Sequence, residues 1–218
     1  MIVKLKRYTG EPDLICGAAA ALCTGYTGDP LDALRGALRS GHESVAEHAF
    51  FTFHVSGVSR VLLAQLTRHR LASYSVQSQR YCGADFGLVI PDSMAHPDLV
   101  DDIITARKVV EDLYAKARRL GVPDEDARYF TFQAGKTALD VTMNARELRH
   151  FFSLRCCNRA QWEIRQLADE MLRQVKEVAP VLFWYVGPGC VRGQCPEGAK
   201  CCKEPRHWDD WDPKEEEG

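Results

Sequence analysis

The sequence predicts an α+β fold: a single domain in which helices pack on a small mixed or antiparallel sheet. Segments whose apolar residues recur at helical spacing are interspersed with short segments rich in aromatic and β-branched residues. The chain has 218 residues and 45% hydrophobic content, which suffices for one packed core. Its end differs in character, because Gly, Pro and Cys give way to acidic residues. We therefore predict one domain over residues 1–187, followed by a Cys-rich and then acidic tail over residues 188–218.

The predicted elements follow from local signals along the chain. Asp29 and Pro30 are a cap and a first-turn proline for a helix that stops before Gly41. Aromatic and β-branched residues at 48–55 predict a strand, and the apolar spacing at 58–68 predicts a helix, after which the sequence is typical of a loop. Further along, we predict helices over 97–120 and 123–130, a strand over 137–142, and helices over 144–157 and 160–178.

Composition excludes several classes of protein. The formal net charge is -2, from 28 basic and 30 acidic residues, which argues against holding a nucleic acid polymer through bulk electrostatics. No stretch approaches the roughly 20 apolar residues of a membrane span, and the first residues lack the apolar run of a signal peptide. We therefore expect a cytoplasmic protein, not bound to membranes, whose nine cysteines are mostly reduced thiols.

The segment between Glu47 and Asp85 holds no acidic residue, although about five would be expected from the composition. It contains four arginines: Arg60, Arg68, Arg70 and Arg80. Guanidinium groups bind phosphate bidentately and nearby hydroxyls can fill the remaining lone pairs, so an anionic ligand is one interpretation. The other is a basic helix end that offsets its own dipole. The residue pattern alone leaves both interpretations open.

A second basic cluster runs from residue 144 to residue 159 and contains an unusual stripe. On a helix, Asn144, Leu148, Phe151 and Arg155 fall on one narrow face. An inward-facing stripe that ends in a cation has two explanations. Either Arg155 extends its head group to solvent, or it is held inside a site with a polar ligand, since an unpaired buried charge is too costly.

A longer pattern narrows these alternatives. Residues 68–80 carry Arg68-His69-Arg70, Ser73, Ser78 and Arg80 at the spacing R-H-R-x-x-S-x-x-x-x-S-x-R. This resembles, at every defined position, the signature of flavin-dependent thymidylate synthases. Similar segments are Gly41-His42-Glu43-Ser44, Glu47-His48, Gln65, Ala127-Arg128, Asn144-Ala145-Arg146, Leu154-Arg155 and Ala160-Gln161-Trp162-Glu163. Their order and spacing agree with the family from about residue 15 to residue 185.

The resemblance implies an FAD cofactor and a dUMP substrate, each held by several segments. FAD would contact Ser44, Arg68, His69, Arg70, Val76, Asn144, Ala145, Arg146 and His150. The nucleotide would contact Gln65, Arg68, Ser78, Gln79, Arg80, Arg128 and Arg155. Two positions depart from the family. Val76 stands where members often carry Glu or Gln, so a contact there must use its backbone, and His150 stands where some members have Asn.

The resemblance also implies the activity, which is reductive methylation of dUMP to dTMP. Methylenetetrahydrofolate would supply the carbon and NADPH would reduce the flavin, in a homotetramer whose sites are shared between subunits. Isolated subunits should then be inactive. Arg155 would be the catalytic residue, because it could stabilise negative charge on the pyrimidine ring as the N3 side ionises. No protein nucleophile is implied, and Ser78 has no accompanying Asp-His pair to activate it.

Two other hypotheses stay open at this point. The chain could be a flavoprotein oxidoreductase acting on another nucleotide. It could be a non-enzymatic module that holds nucleic acid through its signature arginines. A thymidylate synthase with a cysteine nucleophile is rejected on residue grounds, because Cys156 and Cys157 follow Arg155 rather than sharing its face; geometry alone does not exclude Cys82, which is close to the signature.

Four cysteines cluster in the tail: Cys190, Cys195, Cys201 and Cys202. Their spacing is not the paired C-x-x-C of common zinc sites, so we predict no metal, with a structural zinc ion as the alternative. Trp208 and Trp211 are expected to pack weakly or to touch a neighbouring subunit. Truncation after Gly187 is therefore expected to leave folding largely intact.

Overall fold

A computed structural model describes residues 1–193 and 195–212, which form four strands and seven α-helices joined by loops and short 3-10 turns. The strands are β1 (Ile2–Tyr8), β2 (Phe50–Ser59), β3 (Ala72–Val76) and β4 (Lys136–Asn144). The helices are α1 (Pro12–Thr24), α2 (Pro30–Arg39), α3 (Arg60–Leu66), α4 (Pro97–Arg119), α5 (Asp124–Ala127), α6 (Ala145–Arg155) and α7 (Trp162–Val178). Among these described helices, none combines the length with the apolar character that a membrane span requires. The predicted single-domain α+β class is confirmed.

The strands form one small antiparallel sheet in the order β1-β2-β4-β3. In β4, side chains alternate between buried and half-buried positions, as expected for a sheet with one covered face. Two strands and one helix were not predicted from the sequence. The interpretation of the residues after α3 as a loop is wrong for β3, and neither β1 nor α1 was recognised from the sequence.

The described residues cluster into two compact units. The first unit comprises Met1–Ile2, Val55–Thr67 and Ser75–Leu139. Its longest element, α4, begins after His96, whose Nδ1 accepts a hydrogen bond from the backbone N–H of Asp98 at 3.2 Å. No residue of α4 is buried, and several of its apolar side chains are well exposed: Ile104, Val109 and Leu113. Within the described chain, α4 therefore presents apolar groups to solvent.

The second unit comprises Val3–His54, Arg68–Tyr74 and the described residues from Asp140 onward. In this unit α1 and α2 approach each other closely at Gly17, where a Cβ would lie only 2.5 Å from the carbonyl oxygen of Pro30. Three buried rings form part of its core: Phe51, Phe152 and Phe183. The ring of Phe183 meets the other two edge-on, with centroids 5.4 and 5.9 Å away.

The tail packs against α7 through Trp211. This side chain is fully buried, and its Nε1–H donates to Oδ1 of Asp169 at 2.7 Å. The guanidinium of Arg206 lies 4.5 Å from the ring centroid of Trp211 and also pairs with Asp169. The expected weak packing of the tail is therefore wrong for this segment.

A second contact between the tail and α7 involves a buried lysine. The side chain of Lys176 is 5% exposed, and its Nζ donates to the carbonyl of Trp208 at 2.7 Å and to the carboxylate of Asp212. The charge partner of Lys176 therefore lies in the tail. The hydrogen bond from Lys176 to the backbone carbonyl of Trp208 also ties that residue to α7. The final acidic residues, Glu215 to Glu217, lie outside the described residues. The domain boundary at residue 187 remains a prediction.

Candidate active site

A chain of hydrogen bonds links three side chains of the second unit. His69 lies between α3 and β3 and is 4% exposed, and Glu147 of α6 is 5% exposed. Nδ1 of His69 is 3.1 Å from Oε1 of Glu147, and Nε of Arg155 is 3.1 Å from Nε2 of the same imidazole. Because Glu147 and Arg155 are two helical turns apart on α6, they fall on one face of that helix.

These partners determine the protonation of His69. A guanidinium can only donate, so Nε2 of His69 must accept, and Nδ1 must carry the proton that is donated to Glu147. Burial lowers the pKa of His69; the hydrogen bond to Glu147 opposes this shift, and the cation of Arg155 adds to it. The imidazole is therefore neutral at neutral pH, in the Nδ1–H tautomer.

Neighbouring groups hold the imidazole in place. The hydroxyl of Tyr74 donates to the backbone carbonyl of His69 at 2.7 Å, and Phe151 packs edge-on against the ring with centroids 4.9 Å apart. Asn144 is the N-cap of α6, and its Oδ1 accepts from the backbone N–H of Glu147 at 2.8 Å. Both ring nitrogens of His69 are occupied, so a contact between this residue and a flavin would have to use the ring edge or its backbone.

The predicted stripe on α6 is present, with Leu148 and Phe151 fully buried and Asn144 and Arg155 half-buried at its ends. Arg155 does not simply extend to solvent, because its Nε is bonded to an imidazole of the same chain. Partial burial lowers the pKa of Arg155, yet a guanidinium stays cationic at any working pH. The structure thus adds a protein partner for Arg155 that neither sequence-based alternative included.

The residues predicted to bind FAD lie in the second unit, apart from Val76 in the first. Arg68 and Arg70 are exposed, and neither forms an ion pair or side-chain hydrogen bond with another described residue. Ser44 and His150 are exposed as well. Two unpaired guanidinium groups that flank one residue are a suitable donor set for the diphosphate of a dinucleotide. The chemistry of these side chains therefore fits FAD.

The remaining residues predicted to bind FAD lie where α6 begins. Asn144 uses its Oδ1 as the helix cap, which leaves its NH2 group to donate elsewhere. Arg146 pairs with the exposed carboxylate of Glu47. Ala145 is buried and offers no polar side-chain group. A ligand at this helix end would therefore interact with Asn144 and Arg146, whereas Ala145 could contribute only packing.

Most residues predicted to bind the nucleotide lie in the first unit: Gln65, Ser78, Gln79, Arg80 and Arg128. Residues 78–82 form a turn, in which Oγ of Ser78 accepts from the backbone N–H of Arg80 at 3.2 Å. Gln79 is buried and Gln65 is half-buried. The other two residues predicted to bind the nucleotide, Arg68 and Arg155, belong to the second unit.

Glu125 of α5 is a neighbour of these arginines that sequence reasoning missed. Its Oε2 lies 2.6 Å from Nη2 of Arg80, and its backbone carbonyl accepts from Nε of Arg128 at 3.1 Å. The pair between Glu125 and Arg80 is about half exposed on both sides. A phosphate that binds Arg80 must therefore displace or share this carboxylate.

The four tail cysteines line a cavity of about 460 Å³ in the second unit, and Arg155 is part of the same wall. The sulfur of Cys201 accepts from the backbone N–H of Lys203 at 3.3 Å, and this bond and one from Cys195 lower the pKa of the Cys201 thiol. Among residues 1–193 and 195–212, no group of three His, Cys, Asp or Glu side chains could hold a metal ion. Cys156 is buried, which raises its pKa and makes it a poor candidate for a thiolate nucleophile.

Known proteins that are similar to this chain belong to one family. The family model of the thymidylate synthase complementing proteins, Thy1, matches residues 4–181. The flavin-dependent thymidylate synthase of Geobacter sulfurreducens is 46% identical over 219 residues, covering 93% of this chain and 94% of that protein. The flavin-dependent thymidylate synthase of Clostridium tetani is 42% identical over 229 residues, covering 92% of each protein.

Solved structures show the same fold. The UMP/dUMP methylase PolB from Streptomyces cacaoi, bound with 5-Br dUMP, has a TM-score of 0.73 at 25% identity, covering 83% of this chain and 92% of that one. The flavin-dependent thymidylate synthase ThyX from Helicobacter pylori, complexed with FAD and dUMP, has a TM-score of 0.64 at 28% identity, covering 79% of this chain and 92% of that one. Together with the family match over most of the sequence, these findings show that the chain belongs to the Thy1 family of flavin-dependent thymidylate synthases.

Proposed function

We propose that this protein converts dUMP to dTMP by reductive methylation, with FAD as cofactor, methylenetetrahydrofolate as carbon donor and NADPH as reductant. The observation that carries the proposal is the state of the arginines in the second unit. Arg155 is held by a neutral imidazole, whereas Arg68 and Arg70 are exposed and unpaired within the described residues. Relatives that match this chain over more than nine tenths of their own length are named flavin-dependent thymidylate synthases, and one similar structure contains FAD and dUMP.

The proposed roles follow from the chemistry of each side chain. The unpaired guanidinium groups of Arg68 and Arg70 would bind phosphate groups, with Ser44, Asn144, Arg146 and His150 as further polar contacts of the cofactor. FAD, when bound, would take reducing equivalents from NADPH and supply them to the methylation. Arg155 would place a fixed positive charge against the pyrimidine ring, where it stabilises negative charge as the ring ionises. In the first unit, Ser78, Arg80 and Arg128 would hold the nucleotide.

A direct assay tests this function. Purified protein should form dTMP from dUMP under anaerobic conditions only when FAD, NADPH and methylenetetrahydrofolate are all present. Omission of any one of them should abolish the product. UMP should be included as a competing substrate, because one similar structure is that of a UMP/dUMP methylase. Bound flavin without dTMP formation would instead favour a flavoprotein oxidoreductase acting on another nucleotide.

The role of Arg155 is tested by substitution. Arg155→Lys keeps the positive charge but loses the planar fork and the Nε–H, so turnover should fall substantially, and Arg155→Ala should be worse. Removing a donor aimed at developing charge costs on the order of 100- to 1,000-fold in turnover. FAD content should survive both changes, because the flavin contacts are proposed elsewhere. Near-normal dTMP formation by Arg155→Ala would refute the proposed activation of the ring.

We also propose a homotetramer whose sites are shared between subunits, in the cytoplasm. The exposed apolar side chains of α4 support association, since a helix without any buried residue gains stability when its apolar groups are covered. Light scattering should then give about four times the chain mass of 24.5 kDa. A flavin-loaded and active monomer would contradict the shared sites.

A further inference from the structure

We infer that Glu147 is a positioning residue for Arg155, and that it acts through the imidazole of His69. The inference deepens the proposed function and rests on it, because the effect on turnover follows only if Arg155 acts on the substrate. Glu147 itself is buried and lies beyond the imidazole, with the ring of His69 between its carboxylate and the guanidinium. It would therefore orient the cation without touching the substrate.

Nε2 is the nitrogen of His69 that faces Arg155. Nε2 of His69 can accept the Arg155 Nε–H only if Nε2 carries no proton. In the other neutral tautomer, two N–H groups would face each other across 3.1 Å, and Arg155 would have to move away. The position of Arg155 therefore depends on the tautomer of a residue that is itself buried.

An ionised carboxylate is suited to select that tautomer, because it can only accept hydrogen bonds. Oε1 of Glu147 lies 3.1 Å from Nδ1 of His69, so the proton of the neutral ring is held at Nδ1. The first turn of α6 favours the negative charge, since its free N–H groups carry partial positive charge. A buried carboxylate that fixes a histidine tautomer acts in the same way as the aspartate of a catalytic triad.

Acid should release Arg155 from this arrangement. The ionisable groups that face His69 are Glu147, Arg155 and His150 from α6, and Tyr74 from β3. A protonated imidazole donates from both nitrogens, so it could no longer accept from Arg155. Because burial lowers the pKa of His69 below its usual value of 6.5, the release should occur on the acid side of that value.

The tautomer can be measured directly, without turnover. In protein labelled with ¹⁵N-histidine, NMR at neutral pH should show His69 as neutral with its proton on Nδ1, assigned by comparison with a His69→Asn variant. Glu147→Gln should weaken this preference, because an amide can donate to Nδ1 as well as accept from it. A wild-type His69 with its proton on Nε2, or a charged His69 at neutral pH, would overturn the inference. This measurement also stands if Glu147→Gln does not fold.

A double-mutant cycle tests the connection to Arg155. Glu147→Gln alone should lower kcat about 10- to 100-fold, the effect of losing one charge-assisted hydrogen bond. In an Arg155→Lys background the Nε–H is gone, so adding Glu147→Gln should change kcat less than about threefold. Equal losses in both backgrounds would show that Glu147 has a merely structural role and would overturn the inference.

A matched control is available in the same unit. Glu43 pairs with the buried guanidinium of Arg149 at 2.9 Å, and neither residue is hydrogen-bonded to His69 or Arg155. Glu43→Gln likewise removes a carboxylate from a buried N–H donor, but its effect should be the same in wild-type and Arg155→Lys backgrounds. FAD content and dUMP binding should be recorded for every variant. If the wild-type protein forms no dTMP, the proposed function fails, whereas the NMR result still decides whether Glu147 sets the tautomer.

Discussion

The burial of Trp211 can be tested by Trp211→Ala. The change removes a fully buried ring, the hydrogen bond to Asp169, and the surface on which Arg206 stacks. Truncating a buried Trp to Ala costs about 3 to 5 kcal/mol, which is a large part of the about 5 to 15 kcal/mol that stabilises a typical domain. Trp211→Phe should keep most of the ring contact and lose the N–H bond to a carboxylate, at a cost of about 1.5 to 3 kcal/mol.

Two measurements decide the matter. Urea unfolding followed by circular dichroism gives the change in stability, and limited proteolysis shows whether the tail detaches first, as a locally unstable segment would. Trp184→Ala serves as a control, because Trp184 is 41% exposed and lies outside the tail, so its loss should cost less than that of Trp211 and should leave the tail attached. A Trp211→Ala variant that matches wild type in both urea midpoint and protease resistance would show that the ring of Trp211 does not hold the tail in place. That result would also restore the expectation that the chain tolerates truncation after Gly187.

Three further outcomes are expected. Iodoacetamide should alkylate Cys201 well before Cys16, because a backbone N–H lowers the pKa of the Cys201 thiol whereas burial raises that of Cys16 to about 11; peptide mass spectrometry of timed samples gives the order. Gly17→Ala should cost about 1 to 3 kcal/mol in urea unfolding, since its Cβ would lie 2.5 Å from a backbone carbonyl oxygen at the start of α2. Asp140→Asn should lower stability slightly at pH 6, and urea unfolding at a series of lower pH values should show this loss shrinking. The hydrogen bond from His54 lowers the pKa of Asp140, so its contribution is fully present above the usual value of 3.8 and fades as the pH falls from there through the lowered pKa.

The long periodic helices and the central strands could be predicted from local sequence. The cap and proline that open α2 and the apolar spacing of α7 are strong local signals, and both helices form where expected. β3 was missed because its residues Ala72–Val76 lie inside a motif of serines and arginines, which is typical of loops. β1 alternates apolar and charged residues over only part of its length, and its partner β2 lies far along the chain. Strands of this kind are defined by pairing, which a local window does not contain.

The site was only partly predictable for a similar reason. The stripe that ends at Arg155 follows from helical spacing alone. Glu147 also stands in line with Phe151 and Arg155, at offsets of four and eight, so a signal for a carboxylate on the same face was present. Its significance depends on His69, which belongs to another segment and reaches α6 only in the folded chain. The packing of Trp211 depends likewise on Asp169, which lies 42 positions earlier in the sequence.

The ion pair between Arg80 and Glu125 has a consequence for the salt dependence of nucleotide binding. If dUMP binds at Arg80, its phosphate takes the place of a carboxylate, so one anion is exchanged for another. Added salt screens the interaction of Arg80 with either partner, and the two effects should largely cancel. Arg68 and Arg70 have no such internal counter-ion among the described residues, so contacts made there should carry the full ionic-strength dependence. The affinity for the nucleotide should therefore respond less steeply to salt than the number of its arginines suggests, and Glu125→Gln should restore the steeper slope.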